Sequence, residues 1–178
     1  LNKNKMNAKF KIGNEGEQLW VNYITKTHTD IETHPNKRFY DWDIKAKYKS
    51  KEVTYEIKYD VSGYKYAAKY NRGVNLYIEY QNTNKNEDSG ILASKADFYV
   101  YTFKDDNQSN IAYVFNRVEL LEHLQTANYK SRINRLGGDN NAKGWLATLE
   151  GVKPYARAII NLDTHKPKFT TKIIKKTL

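Results

Sequence analysis

Two carboxylates and a lysine have the residue types and spacing to do chemistry. Residues 53–60 alternate apolar and polar side chains, which is the period of a half-buried β-strand. Residues 40–44 alternate in the same way. The short polar stretch at 48–51 predicts a hairpin with its tight turn near Lys49 and Ser50. Asp43 would then lie opposite Glu56, with Lys58 on the same face.

Asp43 and Glu56 in this arrangement favour a bound cation. Cβ atoms of directly opposite residues are about 5 Å apart, and two carboxylates at that distance repel each other unless a positive charge lies between them. Mg²⁺ is the natural candidate, because proteins hold it with one or two carboxylates and it keeps several waters. A metal that polarises a phosphate and generates hydroxide, beside the Lys58 ammonium, provides the parts for phosphodiester hydrolysis.

The same residues also fit an exposed hairpin that carries ordinary charges. Asp41 would then face Lys58 and form a cross-strand ion pair with it. Asp41 shares a face of its strand with Asp43, so it is also the alternative catalytic carboxylate.

The pattern Asp-x(n)-Glu-x-Lys across a hairpin resembles the PD-(D/E)XK nuclease superfamily, which includes restriction endonucleases, archaeal-type Holliday-junction resolvases and many phage nucleases. The matching residues are Asp43 (or Asp41), Glu56 and Lys58, and the proline that names the motif is absent. The resemblance implies a restriction-endonuclease-like core, a central mixed sheet flanked by helices. It further implies Mg²⁺, replaceable by Mn²⁺, held by Asp43, Glu56 and the Ile57 carbonyl, with Lys58 orienting or deprotonating the attacking water.

The resemblance extends to the segments on both sides of the hairpin. Superfamily members commonly place a glutamate on a first helix beside the site, and Glu17 is preferred here over Glu15. The alternative is that both glutamates simply favour the start of a helix. Residues 75–80, 89–91 and 94–97 are similar to the segments that come after Glu-x-Lys in phage and bacterial members, so Ser94 and Lys95 are expected to face DNA phosphate. Members of this size usually work as homodimers, which we expect here.

The composition favours a nucleic-acid partner. The 178 residues contain 30 Lys and Arg against 20 Asp and Glu, a net charge of +10, which suits a polyanion. An AT-rich genome would also raise the lysine content. The absence of cysteine excludes disulfides and thiol catalysis. No apolar run approaches the ~20 residues of a membrane span, and residues 1–11 lack the apolar region of a secretory signal. We therefore expect a cytoplasmic protein of a bacterial or phage-infected cell, with no membrane partner and no small-molecule cofactor.

The predicted elements make one α/β domain around a central mixed sheet. Residues 1–12 are expected to form a basic N-terminal arm and residues 13–178 the single domain. A first helix with acidic residues in its first turn is predicted by four apolar residues at helical spacing: Leu19, Trp20, Tyr23 and Ile24. Residues 74–81 are predicted as a third strand of this sheet, with Leu76, Ile78 and Tyr80 on one face. Glu79 lies on the other face with Tyr77 and is a weak candidate to approach the site.

The remaining elements are predicted from local patterns. Buried strands are predicted at 98–103 and 111–115. Asn116 is a predicted N-cap for a helix over 117–124, with Glu119 completing a capping box. Its predicted buried stripe consists of Val118, Leu121 and Leu124. Residues 156–160 are apolar and fit either a strand or a helix.

Two basic segments are candidates for gripping a nucleic-acid backbone. Lysines and tyrosines interleave over 61–73, and residues 128–144 are predicted as an irregular, glycine-bearing loop. Plain surface segments are the alternative for both. The candidate DNA-binding residues in these segments are Lys65, Lys69, Arg72, Lys130, Arg132, Arg135 and Lys143.

Together these features predict a Mg²⁺-dependent DNA endonuclease acting on duplex or branched DNA. A structure-specific enzyme such as a four-way-junction resolvase is the first choice, and a compact type II restriction endonuclease is the second. A non-catalytic nucleic-acid-binding module on the same fold is the alternative from another class, and an RNA substrate stays open.

Overall fold

The strands sort into two β-sheets in this computed structural model, which describes residues 3–34, 41–69, 73–134 and 141–169. The first sheet has seven strands, in the spatial order β1 (His28–Thr33), β2 (Ile44–Tyr48), β3 (Lys51–Asp60), β6 (Phe98–Lys104), β7 (Asn110–Asn116), β10 (Ala156–Asn161) and β11 (Lys166–Phe169). The second sheet has four strands, in the order β5 (Glu87–Asp88), β4 (Asn75–Asn82), β9 (Ala142–Thr148) and β8 (Lys130–Asn134). Helices α1 (Lys3–Ile24), α2 (Gly63–Lys69), α3 (Arg117–Thr126) and α4 (Leu149–Val152) complete the described elements, with a 3₁₀ turn at Lys153–Tyr155.

The hairpin β2–β3 has the predicted register. Ile44 pairs with Tyr55 and Tyr48 pairs with Lys51. Lys49 and Ser50 form the turn with φ angles of 50° and 64°, the left-handed conformation that matches the twist of a two-residue hairpin. The first strand, however, begins only at Ile44, so the prediction of a strand from residue 40 is wrong for residues 41–43. Tyr40 lies outside the described residues.

The first sheet is mixed, because β3 and β6 run parallel while its other neighbouring strands are antiparallel. The predicted strands β6 and β7 are confirmed, and each has five consecutive buried residues. Such runs belong to strands covered on both faces. The undecided segment at 156–160 is strand β10, and β1 was not predicted.

Helix α1 covers one face of the first sheet. Trp20 and Ile24 are buried there beside Tyr55, which confirms the predicted apolar stripe. The helix nevertheless begins at Lys3, so residues 3–12 belong to it and Glu15 and Glu17 lie in its interior. The prediction of acidic residues in its first turn is therefore wrong. None of the helices in the described ranges is long and apolar enough to cross a membrane.

The second sheet and α3 cover the other face of the first sheet. Leu76, Ile78 and Ala147 are fully buried in the same cluster as Tyr99 and Phe103. The prediction that residues 74–81 join the central sheet is wrong, because β4 pairs with β9 in the second sheet. The prediction of an irregular loop over residues 128–144 is wrong for β8 and for the start of β9, which pair as a hairpin. Trp145 and Ala147, farther along β9, pack their apolar side chains against the core.

Helix α3 has the predicted N-cap. The side chain of Asn116 accepts a hydrogen bond from the Glu119 amide at 3.1 Å. The predicted stripe is partly wrong: Val118 is 50% exposed, whereas Leu120 and Leu124 are fully buried.

Candidate functional site

Strand β3 presents the two central candidates on one face. Glu56 pairs with Tyr99 and Lys58 pairs with Tyr101 in the parallel ladder, and both tyrosines are buried under the second sheet. Tyr55 and Ile57 point the other way, toward α1. The alternation read from the sequence therefore places Glu56 and Lys58 on a shared face, as expected.

Asp43 is held beside Glu56 by two hydrogen bonds to the main chain of β3, one from its amide and one to its carboxylate. Its amide donates to the Tyr55 carbonyl at 2.9 Å, which extends the hairpin ladder by one residue. Its Oδ2 accepts from the Ile57 amide at 2.7 Å. The Asp43 carboxylate thus lies against the main chain of β3 immediately after Glu56.

The surroundings of Glu56 hold the pKa of its carboxyl well above the ordinary value. Burial is the largest cause, and the negative charge of Asp43 is the second. Glu79 raises the pKa further, while a hydrogen bond from Ser94 and the ammonium of Lys58 lower it. Glu56 is therefore a half-buried carboxylate acted on by two other carboxylates and one lysine, and loss of solvent together with negative charge outweighs that lysine.

The segment 89–96 closes over the site from the loop before β6. Ser94 is only 2% exposed, and its hydroxyl also lies 3.3 Å from the Asp41 carbonyl. One hydroxyl proton serves one acceptor at a time, and an ionised Glu56 is the stronger acceptor. Arg117 of α3 anchors this segment by donating to the carbonyls of Ala96 and Ile91. Ser94 is therefore near the site as expected, but its hydroxyl is engaged inside the protein.

Asp41 pairs with Lys95, whereas the sequence placed it opposite Lys58. The Lys95 ammonium is 3.1 Å from both oxygens of the Asp41 carboxylate. The Lys95 amide also donates to the Asp41 carbonyl at 2.8 Å. Asp41 lies before β2 begins and outside the hairpin ladder, which is why the cross-strand contact does not form. The Lys95 side chain is 76% exposed at the rim of the site.

Glu79 is the residue whose role the sequence understated. Its Oε1 accepts a hydrogen bond of 2.7 Å from the Ser89 hydroxyl. Its carbonyl accepts from the Ile91 amide at 3.0 Å, so the segment at 89–91 runs against it. The signal was the strand alternation, which had already put Glu79 on the polar face of β4.

Glu17 and Glu15 lie on the opposite side of β3 from Glu56. Trp20, one helical turn from Glu17, contacts the Tyr55 ring, and the Tyr59 hydroxyl lies 3.5 Å from a Glu15 carboxylate oxygen. Both tyrosines point away from Glu56. The carboxylates that act most strongly on Glu56 are Asp43 and Glu79, and Glu17 is not among them.

The basic candidates are spread over several elements. Lys65 and Lys69 are exposed on α2, whose N-terminus is capped by Asp60. Lys130 and Arg132 are exposed on β8. Lys143 is half-buried on β9, with its ammonium 5.7 Å from the centre of the Tyr80 ring. Arg72 and Arg135 lie outside the described residues.

The donors at this site suit a hard divalent cation. Asp43, Glu56 and the main chain at Ile57 offer oxygen ligands, and Mg²⁺ accepts one or two carboxylates while keeping its waters. Burial is the largest cause of the raised pKa of Glu56 and the charge of Asp43 is the second, and a cation between the two carboxylates would relieve that second effect. Within the described ranges, no three His, Cys, Asp or Glu side chains are arranged as a complete metal cage, so the fit is to a hydrated ion with few protein ligands.

Comparisons of the chain with models of protein families, with curated proteins and with solved structures gave no match.

Proposed function

We propose that this chain is a metal-dependent nuclease that hydrolyses phosphodiester bonds in DNA. The observation that carries the proposal is the position of Asp43, whose carboxylate is fixed to the Ile57 amide beside a half-buried Glu56 of raised pKa. A site that forces two carboxylates together, so that each disfavours the ionised form of the other, is a characteristic setting for a divalent metal.

Each residue of the site would have its own role. Asp43, Glu56 and the Ile57 carbonyl would hold Mg²⁺, with Mn²⁺ able to substitute. The bound ion would polarise the scissile phosphate and acidify the attacking water. Lys58 would orient that water or help to deprotonate it, and would balance the charge that builds up on phosphorus. Ser94 would orient Glu56 and favour its ionised form by hydrogen bonding, and Lys95 would contact a neighbouring phosphate after exchanging its partner Asp41.

The order of elements supports a restriction-endonuclease-like core. Helix α1 packs on the hairpin β2–β3, and β3 continues into a parallel partner, β6. This arrangement is compatible with the PD-(D/E)XK resemblance read from the sequence. Under that assignment Glu17 would be the first-helix glutamate, although its place on the Tyr55 side of β3 speaks against direct metal contact.

DNA is the substrate that the charge favours, with a net charge of +10 over the chain. A branched substrate such as a four-way junction is proposed first, and sequence-specific cutting of duplex DNA second. A homodimer would place two sites on one substrate, each cutting one strand.

The test is a paired incubation with supercoiled plasmid and a synthetic four-way junction, in Mg²⁺ and in EDTA. Metal-dependent cutting of the junction alone means a resolvase, and discrete plasmid fragments mean a restriction-like enzyme. Glu56→Ala and Lys58→Ala should lose cleavage while keeping most of their DNA affinity, since affinity resides in the basic surface. Glu52→Ala and Lys51→Ala, at the turn end of the same strand, are the matched controls.

A non-catalytic nucleic-acid-binding module is the second candidate. The observation on its side is that no three His, Cys, Asp or Glu side chains in the described ranges form a complete metal cage. Salt-sensitive binding of either DNA, with no cutting in Mg²⁺ or Mn²⁺, would select this candidate and would contradict the nuclease proposal.

A further inference from the structure

His123 lies in the last turn of α3, and its ring is in contact with two tyrosines. Its Nε2 atom is 2.9 Å from the Tyr129 hydroxyl. The ring of Tyr155 stacks on it, with 4.0 Å between the ring centroids. His123 and Tyr129 are half-buried, and Tyr155 is 40% exposed. A histidine held in this way changes its hydrogen bonds when it takes up a proton.

The corner between β9 and α4 completes this cluster. Thr148 caps α4 by accepting a hydrogen bond of 3.2 Å from the Gly151 amide. Thr148 also hydrogen-bonds Tyr129, and the main chain of Gly151 hydrogen-bonds the His123 ring. A Cβ atom at Gly151 would overlap the Tyr129 hydroxyl and lie 2.8 Å from Thr148 Oγ1, so glycine allows this close approach. The four residues therefore form a closed circuit of hydrogen bonds.

The circuit has a single direction when His123 is neutral. The hydrogen bond with Thr148 lowers the pKa of Tyr129, so the threonine hydroxyl is the donor. The hydrogen bond with Gly151 raises the pKa of His123, so the glycine carbonyl accepts from a ring N–H. The other ring nitrogen, Nε2, then carries no proton and accepts from the Tyr129 hydroxyl. Each donor of the circuit thus has an acceptor in the next residue.

A proton on Nε2 of His123 disrupts this arrangement. Nε2 would then donate to the Tyr129 oxygen, which already accepts from Thr148, and the hydroxyl proton of Tyr129 would have no acceptor left in the circuit. A half-buried donor without a partner is unfavourable. Burial also lowers the pKa of His123 below its ordinary value of 6.5. The hydrogen bonds and the burial therefore favour the same neutral form of the ring.

The response of His123 to pH is set by its own contacts. The causes of its lowered pKa are burial and the opposing hydrogen bond with Gly151, and no charged side chain of the described residues is among them. The face of the Tyr155 ring favours a protonated imidazole, but it does not reverse the effect of burial. The charged residues on the elements around the ring are Glu119 and Glu122 of α3, Lys130 of β8, Glu150 of α4 and Lys153 of the 3₁₀ turn. Glu119 is paired with Arg157.

The cluster joins α3 to the second sheet. Tyr129 directly precedes β8, and Thr148 is the last residue of β9. At the other end of α3, Arg117 donates to the carbonyls of Ala96 and Ile91, in the segment that closes over the candidate site. One helix therefore connects this cluster with that segment.

We propose that His123, Tyr129, Thr148 and Gly151 form a pH-sensitive latch, which fixes α3 to the second sheet at neutral pH and opens when His123 takes up a proton. A histidine whose pKa is lowered by the fold contributes stability above the ordinary value of 6.5, and this contribution is lost as the pH falls through the lowered value. The latch should therefore open over the pH range below 6.5. It does not depend on the nuclease assignment, because none of its residues belongs to that site.

The experiment is hydrogen exchange of the full chain, measured by mass spectrometry from about pH 8 to about pH 5. The rates are corrected for the pH dependence of exchange from an unprotected amide. Peptides that cover residues 123–131 and 148–153 report on the latch. Their opening constant should rise by up to about tenfold for each pH unit below 6.5, until the lowered pKa is reached. Peptides from the central strand at 98–103 should stay protected throughout.

Three variants separate the latch from other effects of pH. His123→Gln removes the titrating group but keeps an oxygen that can accept from Tyr129, so its corrected exchange at the latch should not change with pH. Tyr129→Phe removes the hydroxyl and should raise exchange of both latch peptides at every pH. His28→Gln is the matched control, because His28 is also half-buried, with its Nε2 atom 2.8 Å from the Tyr55 hydroxyl on the first sheet. It should leave the pH dependence at the latch unchanged.

Equal protection of the latch peptides over this pH range in the wild type would overturn the proposal. So would a pH dependence that persists in His123→Gln, or wild-type exchange in Tyr129→Phe. Simultaneous loss of protection at 98–103 would mean global unfolding and would also contradict a local latch. An NMR titration of the four histidine rings in the wild type does not depend on folding of the variants. A pKa of His123 below 6.5 would support the latch, and a value at or above 6.5 would exclude it.

Discussion

The carboxylate of Asp43 accepts a hydrogen bond of 2.7 Å from the amide of Ile57, the residue that comes after Glu56. Asp43 lies just before its strand begins, with its amide bonded to the Tyr55 carbonyl and its carbonyl accepting from the His34 amide. The hydrogen bond from the Ile57 amide takes the place of a ladder bond and brings a second carboxylate to Glu56. This hydrogen bond identifies Asp43, and not Asp41, as the carboxylate held beside Glu56, a choice that the sequence left open.

Asp43→Asn and Asp41→Asn should have different effects on cleavage. An asparagine at 43 can still accept the Ile57 amide through its carbonyl oxygen, so it removes the charge while preserving the local geometry. We expect the initial rate in Mg²⁺ to fall by roughly 100-fold or more, since a metal ligand is lost. Asp41→Asn instead frees Lys95 and should tighten DNA binding at low salt. A larger loss of cleavage from Asp41→Asn would exchange the two assignments.

Glu56→Gln should stabilise the metal-free protein at neutral pH. Its carboxyl has a raised pKa in the fold, and each unit of raised pKa costs about 1.4 kcal/mol of stability when the group is ionised. A gain of about 1 kcal/mol corresponds to a Tm increase of about 2–4 °C for a chain of this size. Thermal melts in EDTA measure it, with the exposed Glu52→Gln as control. A lower Tm for Glu56→Gln would show that the ionised carboxylate is stabilised by the fold.

The stabilising effect of Mg²⁺ should increase with pH. A carboxyl of raised pKa binds its proton more tightly in the folded state than in the unfolded chain. The free energy of unfolding without metal therefore falls as pH rises from the ordinary value of 4.5 through the raised one. Metal binding requires the ionised form, so the shift in Tm caused by Mg²⁺ should appear only as pH rises through the raised pKa. The same shift at every pH from 5 to about 8 would exclude Glu56 as the ligand that titrates.

Ser94→Ala should move that pH dependence upward. The Ser94 hydroxyl lowers the pKa of Glu56 by hydrogen bonding to its ionised form. Removing that hydroxyl should therefore let burial and the charge of Asp43 raise the pKa of Glu56 further. The midpoint of the Mg²⁺-dependent Tm shift should rise, and so should that of cleavage if the protein is a nuclease. Ser89→Ala removes a hydroxyl of the same segment that bonds Glu79 instead, and should move the midpoint less. Equal shifts from both variants would mean that the hydroxyls act through the packing of the segment.

Gly90→Ala should destabilise the protein by about 1–3 kcal/mol. Gly90 has a φ angle of 51°, and a Cβ atom there would lie 2.4 Å from the Glu79 carbonyl oxygen. The backbone of the segment at 89–91 would have to move away from β4. Gly73→Ala is the control, since a Cβ atom at Gly73 meets nothing within 4 Å among the described atoms. Urea denaturation compares the two variants, and equal stability would mean that the segment moves freely over Glu79.

Local patterns determined much of the first sheet. The alternation at 53–60 placed Glu56 and Lys58 on one face, and the two-residue turn fixed the register of the hairpin. The runs at 98–103 and 111–115 predicted central strands, and Asn116 predicted the start of α3. These features depend on residues a few positions apart, and their side-chain period and capping chemistry can be read directly.

Tertiary structure decided the rest of the site. Pairing of β4 with β9 joins residues at least 60 positions apart and creates the second sheet, which no local period can predict. The same long-range packing places Ser94 and Glu79 close enough to act on Glu56, and it pairs Asp41 with Lys95. It also positions Glu17 on the side of β3 opposite Glu56. The sequence by itself determined which residues share a face of a strand. Only the folded chain decided which faces meet, because burial of apolar surface between distant elements selects those partners.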